Sequence, residues 1–482
     1  MEPANQTGMD HRTQMLGRPP LGWRGVVGWA GVAIAGFHLA FLVSGWFIAA
    51  FLFAVFQLAQ VSRGRDAFRI GMVVGWLCYG PQLPFFWTIF KVGAVALWSV
   101  LAFWLALYLV LQRLALIRFG AAAGAILAPV LWMGIEFFRS ELYYLRFTWL
   151  TPGFALATDS DAVRGLGGGY GVGFWVMAAV AITLLLWRIG RRHKLSAIVM
   201  LFVGTIAASL ILPMFAQVGG GPPPKTIACA GLQIFQPPSS ELLRHFDKLV
   251  ETHPETELIV LGEYAFDGPV PDKVREWCAK NRRFLVAGGK DELAGNKFYD
   301  TAFVIDTNGS VAFKQAKTVP VQFLNDGLPA SHQRVWESPW GRIGLGICYD
   351  LSYARVIDEL IRQGAQAIVI PTMDMDEWGD YQQRLHARVA PLRSAEYRVS
   401  VLRVCSEGIS QLVNRRLRGG TIPRGEGQML FGKLTLRRSV SAKDLPFDRF
   451  LAPVCTAATG ALAVWFLVGS WRDRRAGKIK TA

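Results

Sequence analysis

Long apolar segments separated by short polar connections fill residues 24–216, and one further apolar segment lies near the C-terminus. Each has the length of about 17 to 25 residues with which a helix crosses a hydrocarbon core of about 30 Å. We predict about eight spans, at residues 24–42, 44–61, 69–89, 92–112, 119–138, 168–187, 195–216 and 450–470. The pattern therefore predicts a membrane domain of about seven helices at 24–218 and a final transmembrane helix at 449–471.

A different pattern occupies residues 225–448, where short apolar runs alternate with amphipathic segments. Such alternation is typical of sheets that are covered by helices. Strands are predicted at 226–233, 258–261, 284–288, 301–305, 311–314, 342–347, 367–370, 399–404 and 410–414, and helices at 239–251, 272–281, 353–363 and 381–397. A Gly/Pro linker at 219–224 precedes this part, since such a run supports neither helix nor strand. The sequence predicts a polytopic α-helical membrane domain plus an α/β sandwich.

Composition and charge agree with a membrane protein. Hydrophobic residues make up 52% of the chain and charged residues 18%, and the mean hydropathy is +0.30. Positive residues cluster at Arg12, Arg18 and Arg24; Arg63, Arg65 and Arg69; Arg113 and Arg118; Arg188, Arg191, Arg192 and Lys194; and Arg472, Arg474, Arg475, Lys478 and Lys480. Because positive residues stay on the cytoplasmic side, the tails 1–23 and 472–482 are predicted to be cytoplasmic and residues 225–448 extracytoplasmic. This topology accounts for much of the net charge of +16, so we expect a bilayer and no nucleic acid as a partner.

Three polar residues at the ends of predicted strands are candidates for chemistry. Glu263, Lys317 and Cys348 offer a carboxylate base, a cation and a thiol, which together support acyl transfer through a thioester. Each also has a structural interpretation: Cys348 as a core thiol, Glu263 as a surface carboxylate, and Lys317 as a solvated charge, with Lys314 as a competing candidate. The six cysteines include no CxxC pair and no His/Cys cluster spaced for zinc, so we expect no metal, cofactor or disulfide framework.

The triad resembles the Glu-Lys-Cys triad of the nitrilase, or carbon-nitrogen hydrolase, superfamily. Lys317 is preferred over Lys314 because Phe323 follows it by six residues, as in that family's pattern. The runs Asp-Glu-Trp-Gly-Asp at 376–380 and Leu-Arg-Ser-Ala-Glu at 392–396 are similar to stretches downstream of the family's cysteine. The resemblance implies that residues 225–448 form a nitrilase-like α-β-β-α sandwich.

The N-terminal half carries a second resemblance. The runs Leu-Trp-Met-Gly-Ile-Glu-Phe-Phe-Arg at 131–139 and Phe-Thr-Trp-Leu at 147–150 are similar to the Glu-Phe-x-Arg and Phe-Pro-Trp-Leu stretches of bacterial apolipoprotein N-acyltransferases. In that family a seven-plus-one membrane domain carries an extracytoplasmic nitrilase domain. The two resemblances together span nearly the whole chain.

The family implies transfer of an acyl chain from a phospholipid to the N-terminal diacylglyceryl-cysteine of a lipoprotein, by a ping-pong route at the bacterial inner membrane. Glu263 would take the proton of Cys348, whose thiolate would attack the ester carbonyl. Lys317 and the backbone N–H after Cys348 would stabilise the oxyanion, and Lys317 would also lower the pKa of the thiol. We expect a monomer with its catalytic domain in the periplasm. Two alternatives stay open: a membrane-tethered carbon-nitrogen hydrolase (amidase), and a catalytically inactive homologue that binds lipid or acts as a scaffold.

Six further residues are candidates for substrate binding, namely Tyr349, Asp350, Trp378, Glu136, Arg139 and Trp149. Tyr349 and Asp350 shape the thiolate pocket or are ordinary helix N-terminal residues. Glu136 and Arg139 contact a phospholipid headgroup or the soluble domain, or else form an interfacial pair that anchors their span. Trp378 is a pocket wall or a packing residue, and Trp149 is a substrate gate or part of an aromatic belt. His386 and Arg388 are interpreted as the polar face of a helix.

The chain departs from the family pattern around the pocket. Gly262 stands where the family has a proline before the base, and Asp350 replaces a glutamate after the nucleophile. Leu324-Asn325 replaces Gly-Glu, so the auxiliary glutamate is missing unless Asp326 substitutes for it. Ser406-Glu407 replaces two asparagines. These departures leave thiol chemistry in place and bear on the identity of the substrate.

Overall fold

The computed structural model describes residues 20–189, 224–414 and 419–475, and these fall into two compact units. One unit comprises Met1–Leu156, Asp161–Gln217 and Phe447–Ala482, and the other comprises Ala157–Ser160 and Val218–Pro446. The predicted span at 195–216, nearly all of the linker and most of both tails lie outside the described residues.

The first unit is helical wherever the structure describes it. Its α-helices are Trp23–Leu42, Ile48–Leu58, Gly64–Gln82, Phe85–Phe90, Gly93–Phe137, Pro152–Ala155, Ser160–Gly165, Gly169–Ile189 and Asp448–Arg475. Three helices among the described residues are long and apolar enough to cross a membrane, at Trp23–Leu42, Gly93–Leu142 and Asp448–Arg472. Two shorter apolar helices lie at Gly45–Leu58 and Gly169–Leu185. These helices are compatible with a membrane domain, while the count of eight spans and their orientation stay predictions.

The longest helix is divided at Gly120. Its φ of +78° is outside the helical region, and glycine adopts such an angle without steric cost. The division lies at the start of the predicted span 119–138, two residues after the predicted connection 113–118. Close helix packing also depends on glycine in this unit, because a Cβ added at Gly71 would lie 2.3 Å from Cα of Ala106. Small residues at such contacts let two helix backbones approach closely.

The second unit contains twelve strands in the described residues: Lys225–Leu232 (β1), Leu258–Leu261 (β2), Phe284–Leu293 (β3), Lys297–Ile305 (β4), Val311–Ala316 (β5), Val335–Ser338 (β6), Gly341–Leu345 (β7), Ala367–Thr372 (β8), Ser400–Cys405 (β9), Ser410–Val413 (β10), Thr421–Ile422 (β11) and Met429–Leu436 (β12). They form two six-stranded sheets, in the order β12-β1-β2-β3-β4-β5 and β11-β10-β9-β8-β7-β6. The centres of both sheets are parallel, through β1-β2-β3 and β7-β8-β9. The carboxyl ends of parallel strands are where open α/β sheets place their sites.

The two sheets pack face to face. Their shared core contains residues from both, namely Ile227, Cys229, Leu258, Val260, Val286 and Val304 from the first and Trp336, Ile343, Leu345, Ala367, Val369, Leu402, Val404 and Leu412 from the second. The opposite face of the first sheet packs against helices Ser239–Thr252 and Asp272–Asn281 through Phe246 and Trp277. Helix Ala354–Arg362 packs on the second sheet, where a Cβ added at Gly344 would lie 3.0 Å from Leu360. The predicted layering of helices outside two sheets is confirmed.

Several local predictions were wrong. The sequence pattern missed β6, β11 and β12, which lie at or next to sheet edges and have few fully buried positions. The helix predicted at 381–397 is two helices, Asp380–His386 and Val389–Tyr397. The break is explained by Pro391, which has no N–H to donate and is tolerated in the first turn of the second helix.

Candidate functional site

The three triad residues lie just beyond strand ends of the two sheets. Glu263 follows β2, and its N–H donates to Thr372 O at 3.1 Å. Lys317 follows β5 directly, and its N–H donates to Asp300 O at 2.8 Å. Cys348 begins a 3₁₀ turn, Cys348–Ser352, after β7. These hydrogen bonds and the turn fix the backbone positions from which the three side chains extend.

Lys317 is buried at the centre of an ionic cluster. Its Nζ lies 2.6 Å from Glu263 Oε1, 2.7 Å from Asp326 Oδ2 and 3.4 Å from Asp300 Oδ2. The two short contacts engage two of the three N–H donors of the ammonium group, whereas neither carboxyl oxygen of Asp300 has a hydrogen-bond partner among the described residues. Sequence reasoning did not find Asp300, which lies within a strand and is fully buried.

The protonation of this cluster follows from its burial. Burial and the neighbouring Glu263 carboxylate raise the pKa of Asp300 well above its usual range. Burial alone would lower the pKa of Lys317, but Asp326 and Glu263 outweigh it and raise that pKa. The cluster therefore holds a charged ammonium and a neutral Asp300 at neutral pH.

Cys348 has a strained backbone and a protonated thiol. Its φ is +46°, an unusual angle for a residue with a side chain and a typical feature of functional turns. The thiol donates to Met373 O, with Sγ 3.6 Å from the oxygen. Burial and the Glu263 carboxylate raise the thiol pKa well above its usual value, against the opposing effect of Lys317. The expected lowering by Lys317 acts in the predicted direction, but the net direction is opposite, so the resting site holds a thiol and needs a base.

Asp326, which the sequence offers as a replacement for the missing auxiliary glutamate, lies 2.7 Å from the ammonium nitrogen of Lys317. Its Oδ2 accepts from Val321 N at 2.6 Å in addition to contacting Lys317, and its Oδ1 accepts from the hydroxyl of Tyr264 at 3.0 Å. Tyr264 follows the base and has a φ of +51°. The substitution considered in the sequence, Asp326 for a glutamate, agrees with this geometry.

Asp350 connects the turn that begins at Cys348 to the segment after Lys317. Its carboxylate accepts from Thr318 N at 3.0 Å, Val319 N at 2.7 Å and Ile347 N at 3.1 Å. Burial raises the pKa of Asp350 to about 6, and these hydrogen bonds oppose the rise. Tyr349 is half-buried, and its ring packs edge-on to Tyr353 with centroids 5.0 Å apart. Asp350 thus aligns two site segments, and its binding of substrate stays a prediction.

The loop Ser406–Glu407 forms hydrogen bonds with Glu263 and with the segment after β8. Ser406 Oγ donates to Glu263 O at 2.9 Å, and Glu407 O accepts from Asp374 N at 2.9 Å. A Cβ added at Gly262 would lie 2.0 Å from Ser406 N. The departure from proline at 262 therefore has a physical reason, because this close contact leaves no room for a side chain.

A second buried polar group borders Cys348. Ligand atoms of Cys348, Asp374 and His386 all lie within 4.8 Å of one another. His386 Nδ1 is 2.6 Å from Asp374 Oδ1, and Arg403 forms an ion pair with the other carboxylate oxygen. The interpretation of His386 as part of a polar helix face was wrong, since it is 2% exposed. A helical pattern does not show that a histidine meets a carboxylate from a distant strand end.

The charges of this second group are balanced internally. Burial alone would raise the pKa of Asp374, but His386 and Arg403 outweigh it and lower that pKa below its usual range. Burial lowers the pKa of His386, against the opposing effect of Asp374. At neutral pH the group therefore contains an ionised carboxylate beside a neutral imidazole.

Two sets of side chains have donor atoms close enough to hold a metal ion. They are Cys348, Asp374 and His386, and Glu263, Asp300 and Asp326. Lys317 contacts all three acids of the second set, and Arg403 pairs with Asp374 in the first. Protein cations already supply the positive charge at both sets, so neither is a favourable metal centre.

The remaining predicted site residues lie away from the triad in the chain. Trp378 ends a short 3₁₀ turn after Asp374 and is half-buried. Glu136 and Arg139 line a small cavity of the helical unit, together with Tyr79, Trp104, Leu105, Tyr108, Trp132 and Ile135. Trp149 is buried in the same unit and packs against Phe147, with ring centroids 5.4 Å apart. Trp149 is thus a packed aromatic residue rather than an exposed member of a belt.

The sequence matches two families in succession. Residues 29–182 match the apolipoprotein N-acyltransferase N-terminal domain, and residues 227–424 match the carbon-nitrogen hydrolase family. The chain is 23% identical over 460 residues to the apolipoprotein N-acyltransferase of Geobacter metallireducens, and this match covers 83% of this chain and 87% of that protein.

Amidases match a shorter part of the chain. The deaminated glutathione amidase of Dictyostelium discoideum is 25% identical over 128 residues, and the human omega-amidase NIT2 is 26% identical over 129 residues. Each match covers 23% of this chain and 44% of the relative, so the chain spans less than half the length of these amidases.

Solved structures of the nitrilase superfamily align with the sandwich unit. Nit3 of Saccharomyces cerevisiae, a member of branch 10 of that superfamily, has 19% identity and a TM-score of 0.38 and covers 44% of this chain and 90% of its own. A carbon-nitrogen hydrolase of Helicobacter pylori has 16% identity, a TM-score of 0.38 and coverages of 43% and 89%. The order of the two matched families along the chain, and the similarity to the Geobacter protein over most of both lengths, lead to one conclusion: the chain belongs to the apolipoprotein N-acyltransferase family and carries its nitrilase-like domain.

Proposed function

We propose that this protein transfers an acyl chain from a phospholipid to the α-amino group of the N-terminal diacylglyceryl-cysteine of lipoproteins, through a thioester on Cys348. The observation that carries the proposal is a buried Cys348 thiol that lies near enough to the Lys317–Glu263 ion pair, 2.6 Å long, for both charges to act on its pKa, in a chain of this family. Its place is the bacterial inner membrane, with both termini cytoplasmic and residues 225–448 outside.

The first half-reaction forms the thioester. Glu263 takes the proton of Cys348, and the thiolate attacks the ester carbonyl of the phospholipid. The C–O bond then breaks, and the lysophospholipid leaves with the proton from Glu263. A protonated resting thiol fits this sequence, because the base acts when substrate is present and the buried site avoids a standing thiolate.

Lys317 has two roles in this proposal. It orients Glu263 through their contact, and it faces the charge that develops on the carbonyl oxygen, together with the backbone N–H after Cys348. Glu263 and Asp326 are in short contact with the ammonium group in the resting site, and Asp300 lies 3.4 Å away without a hydrogen-bond partner among the described residues. The oxyanion would therefore take the third ammonium donor, on the side of Asp300.

An exposed apolar loop supports a lipid as the acyl donor. Phe323 is 65% exposed and Leu324 is 40% exposed, and they lie between Lys317 and Asp326 in the chain. Apolar side chains of this size at a surface are favourable when they contact a membrane or a ligand. The same loop thus carries a lysine partner and a surface suited to acyl chains.

The test uses the purified full chain in detergent, a phospholipid, and a synthetic lipopeptide that bears an N-terminal diacylglyceryl-cysteine. We expect a lipopeptide with a third acyl chain, none with Cys348→Ala, and a rate reduced at least about 100-fold with Glu263→Gln. Cys278→Ala, which removes a buried thiol elsewhere in the domain, should keep the activity. A lipopeptide with an acetylated N-terminus should stay unmodified.

The amidase matches favour a hydrolase as the second candidate. In that case water replaces the amine, and free fatty acid or ammonia forms without modification of the lipopeptide. Absence of any Cys348 adduct and of any product would instead favour the inactive homologue and refute both enzymatic proposals.

A further inference from the structure

We infer that His386, held by Asp374, is a second proton acceptor at Cys348 and serves the step in which an amine consumes the thioester. The inference rests on the thioester route proposed above. Cys348 Sγ, a ring nitrogen of His386 and a carboxylate oxygen of Asp374 lie within 4.8 Å of one another. All three side chains are buried.

The Asp374–His386 pair has the form of an oriented base. Asp374 is ionised and only accepts hydrogen bonds, so the imidazole nitrogen at 2.6 Å from it carries the proton. The other ring nitrogen then has a lone pair. A carboxylate in this position fixes the ring and stabilises the imidazolium that forms when the ring accepts a proton.

The surroundings of Asp374 are rigid. Arg403 forms an ion pair with its carboxylate, Gln382 Nε2 donates to Oδ1 at 3.2 Å, and Gln383 Nε2 donates to its backbone carbonyl at 3.1 Å. Gly408, with a φ of +113°, packs so closely that an added Cβ would lie 2.8 Å from Asp374 Cβ. This number of fixed contacts around one carboxylate is what an oriented proton acceptor requires.

Each of the two bases serves one half-reaction. Glu263 is engaged by Lys317 and serves thiol deprotonation, whereas His386 lies in the separate Asp374 group next to the same sulfur. In the second half-reaction the amine nitrogen forms a bond to the thioester carbon and gives its proton to the imidazole. The C–S bond breaks with its electron pair on sulfur, and the imidazolium returns the proton to the thiolate.

The test separates the half-reactions with a p-nitrophenyl ester of a short fatty acid as the donor. His386→Gln keeps an N–H for Asp374 but has no basic nitrogen. We expect Cys348 to be acylated within about threefold of the wild-type rate, and the adduct to be consumed by a primary amine about 100-fold more slowly, so that it accumulates. His332→Gln, an exposed histidine in the same domain, should behave as the wild type. Equal slowing of both steps, or no slowing of either, would overturn the inference.

Cleavage by hydroxylamine provides a readout that a purely structural role would not give. Hydroxylamine attacks thioesters without a general base, so it should cleave the His386→Gln adduct at close to the wild-type rate. Slow cleavage there would show a distorted site and contradict the proton-transfer role. Because the donor is a soluble ester, failure of phospholipid to acylate Cys348 refutes the proposed function and leaves this test intact.

The wild-type chain gives a second measurement if the variant does not fold. Trifluoroethylamine stays unprotonated near neutral pH, so its reaction with the adduct reports the protein's own base. The charged and titratable groups that face His386 are Asp374, Arg403, Glu263 and Cys348, of which the last is acylated. The rate, divided by the fraction of amine that is unprotonated at each pH, should fall as the pH is lowered through the depressed pKa of the imidazole. A corrected rate that stays independent of pH down to the acid unfolding of the protein would contradict the inference.

Discussion

Replacing Lys317 by methionine removes the one cation that all three carboxyl groups of the cluster share. Two of its contacts are 2.6 and 2.7 Å long, where unit charges attract by about 6 kcal/mol each at an effective dielectric constant of about 20. The cost of desolvation offsets much of this, and removing one partner from a buried ion pair typically costs about 3 to 5 kcal/mol. For a domain of this size the loss corresponds to a fall of roughly 10 °C in the melting temperature.

Lys314→Met is the matched control, since it removes a lysine three residues away. Its Nζ lies 2.9 Å from Asp291 at the surface, with both side chains more than a third exposed. Such pairs contribute up to about 1 kcal/mol, so the melting temperature should change by a few degrees at most. Both variants are compared in detergent by thermal unfolding and by the mass of Cys348 after exposure to phospholipid.

The difference in melting temperature between Lys317→Met and the wild type should also depend on pH, in a direction that follows from the buried carboxyl groups. In Lys317→Met the buried Asp300 loses the lysine that opposes the rise in its pKa, so its folded-state pKa lies still further above the unfolded value near 4. A group of this kind stabilises the fold below its unfolded pKa, and that stability is lost as the pH rises through the folded pKa. The melting deficit relative to wild type should therefore shrink from pH 8 to pH 5, while acylation stays abolished. Equal stability and equal acylation in the Lys317 and Lys314 variants would refute the reasoning.

Three further predictions address the parts that support the site. Gly262→Ala should sharply reduce acylation, because the added Cβ would lie 2.0 Å from the backbone nitrogen of Ser406. Gly268→Ala, whose Cβ would have nothing within 4 Å, should leave the rate unchanged, and equal rates in the two variants would contradict the packing argument. Arg393→Met removes the guanidinium that donates to Leu351 O at 2.9 Å in the nucleophile turn, and differential scanning fluorimetry should show a loss of several degrees; an unchanged melting temperature would argue against this support. Phe323→Ser should raise KM for phospholipid vesicles several-fold with little effect on a soluble nitrophenyl ester, and an equal effect on both donors would exclude a lipid-contacting role for the loop.

Much of the sandwich was predictable because its central strands are short, apolar and bounded by polar residues. β2 was predicted with its observed bounds, Leu258–Leu261, since a run of four buried apolar residues has no helical alternative of adequate length. Edge strands were missed because their burial is partial: in β12, the half-buried Gly432 and the exposed Lys433 interrupt the apolar positions Leu430, Leu434 and Leu436. The interruption made the alternation too weak to predict a strand.

Only part of the candidate site could likewise be predicted from the sequence. Glu263, Lys317 and Cys348 were found because each lies one to three residues beyond the end of a strand, and Asp326 was considered because a glutamate was missing nearby. Asp300 and Asp374 were not found, since an isolated aspartate in or after a strand has no local pattern that indicates its partner. His386 was misread because its helix joins a site whose other members lie 12 and 38 residues earlier in the chain. Such groups are defined by tertiary contacts alone.

The central claim is that Cys348 carries the acyl chain, and mass spectrometry of its peptide tests this most directly. The purified chain is incubated with a phospholipid whose acyl chain is isotopically labelled, then digested and analysed before and after addition of the lipopeptide acceptor. The account predicts the labelled chain on Cys348 and its disappearance as the acceptor becomes labelled. A label on Cys278 or Cys405 instead, or an acylated acceptor formed by Cys348→Ala, would contradict it.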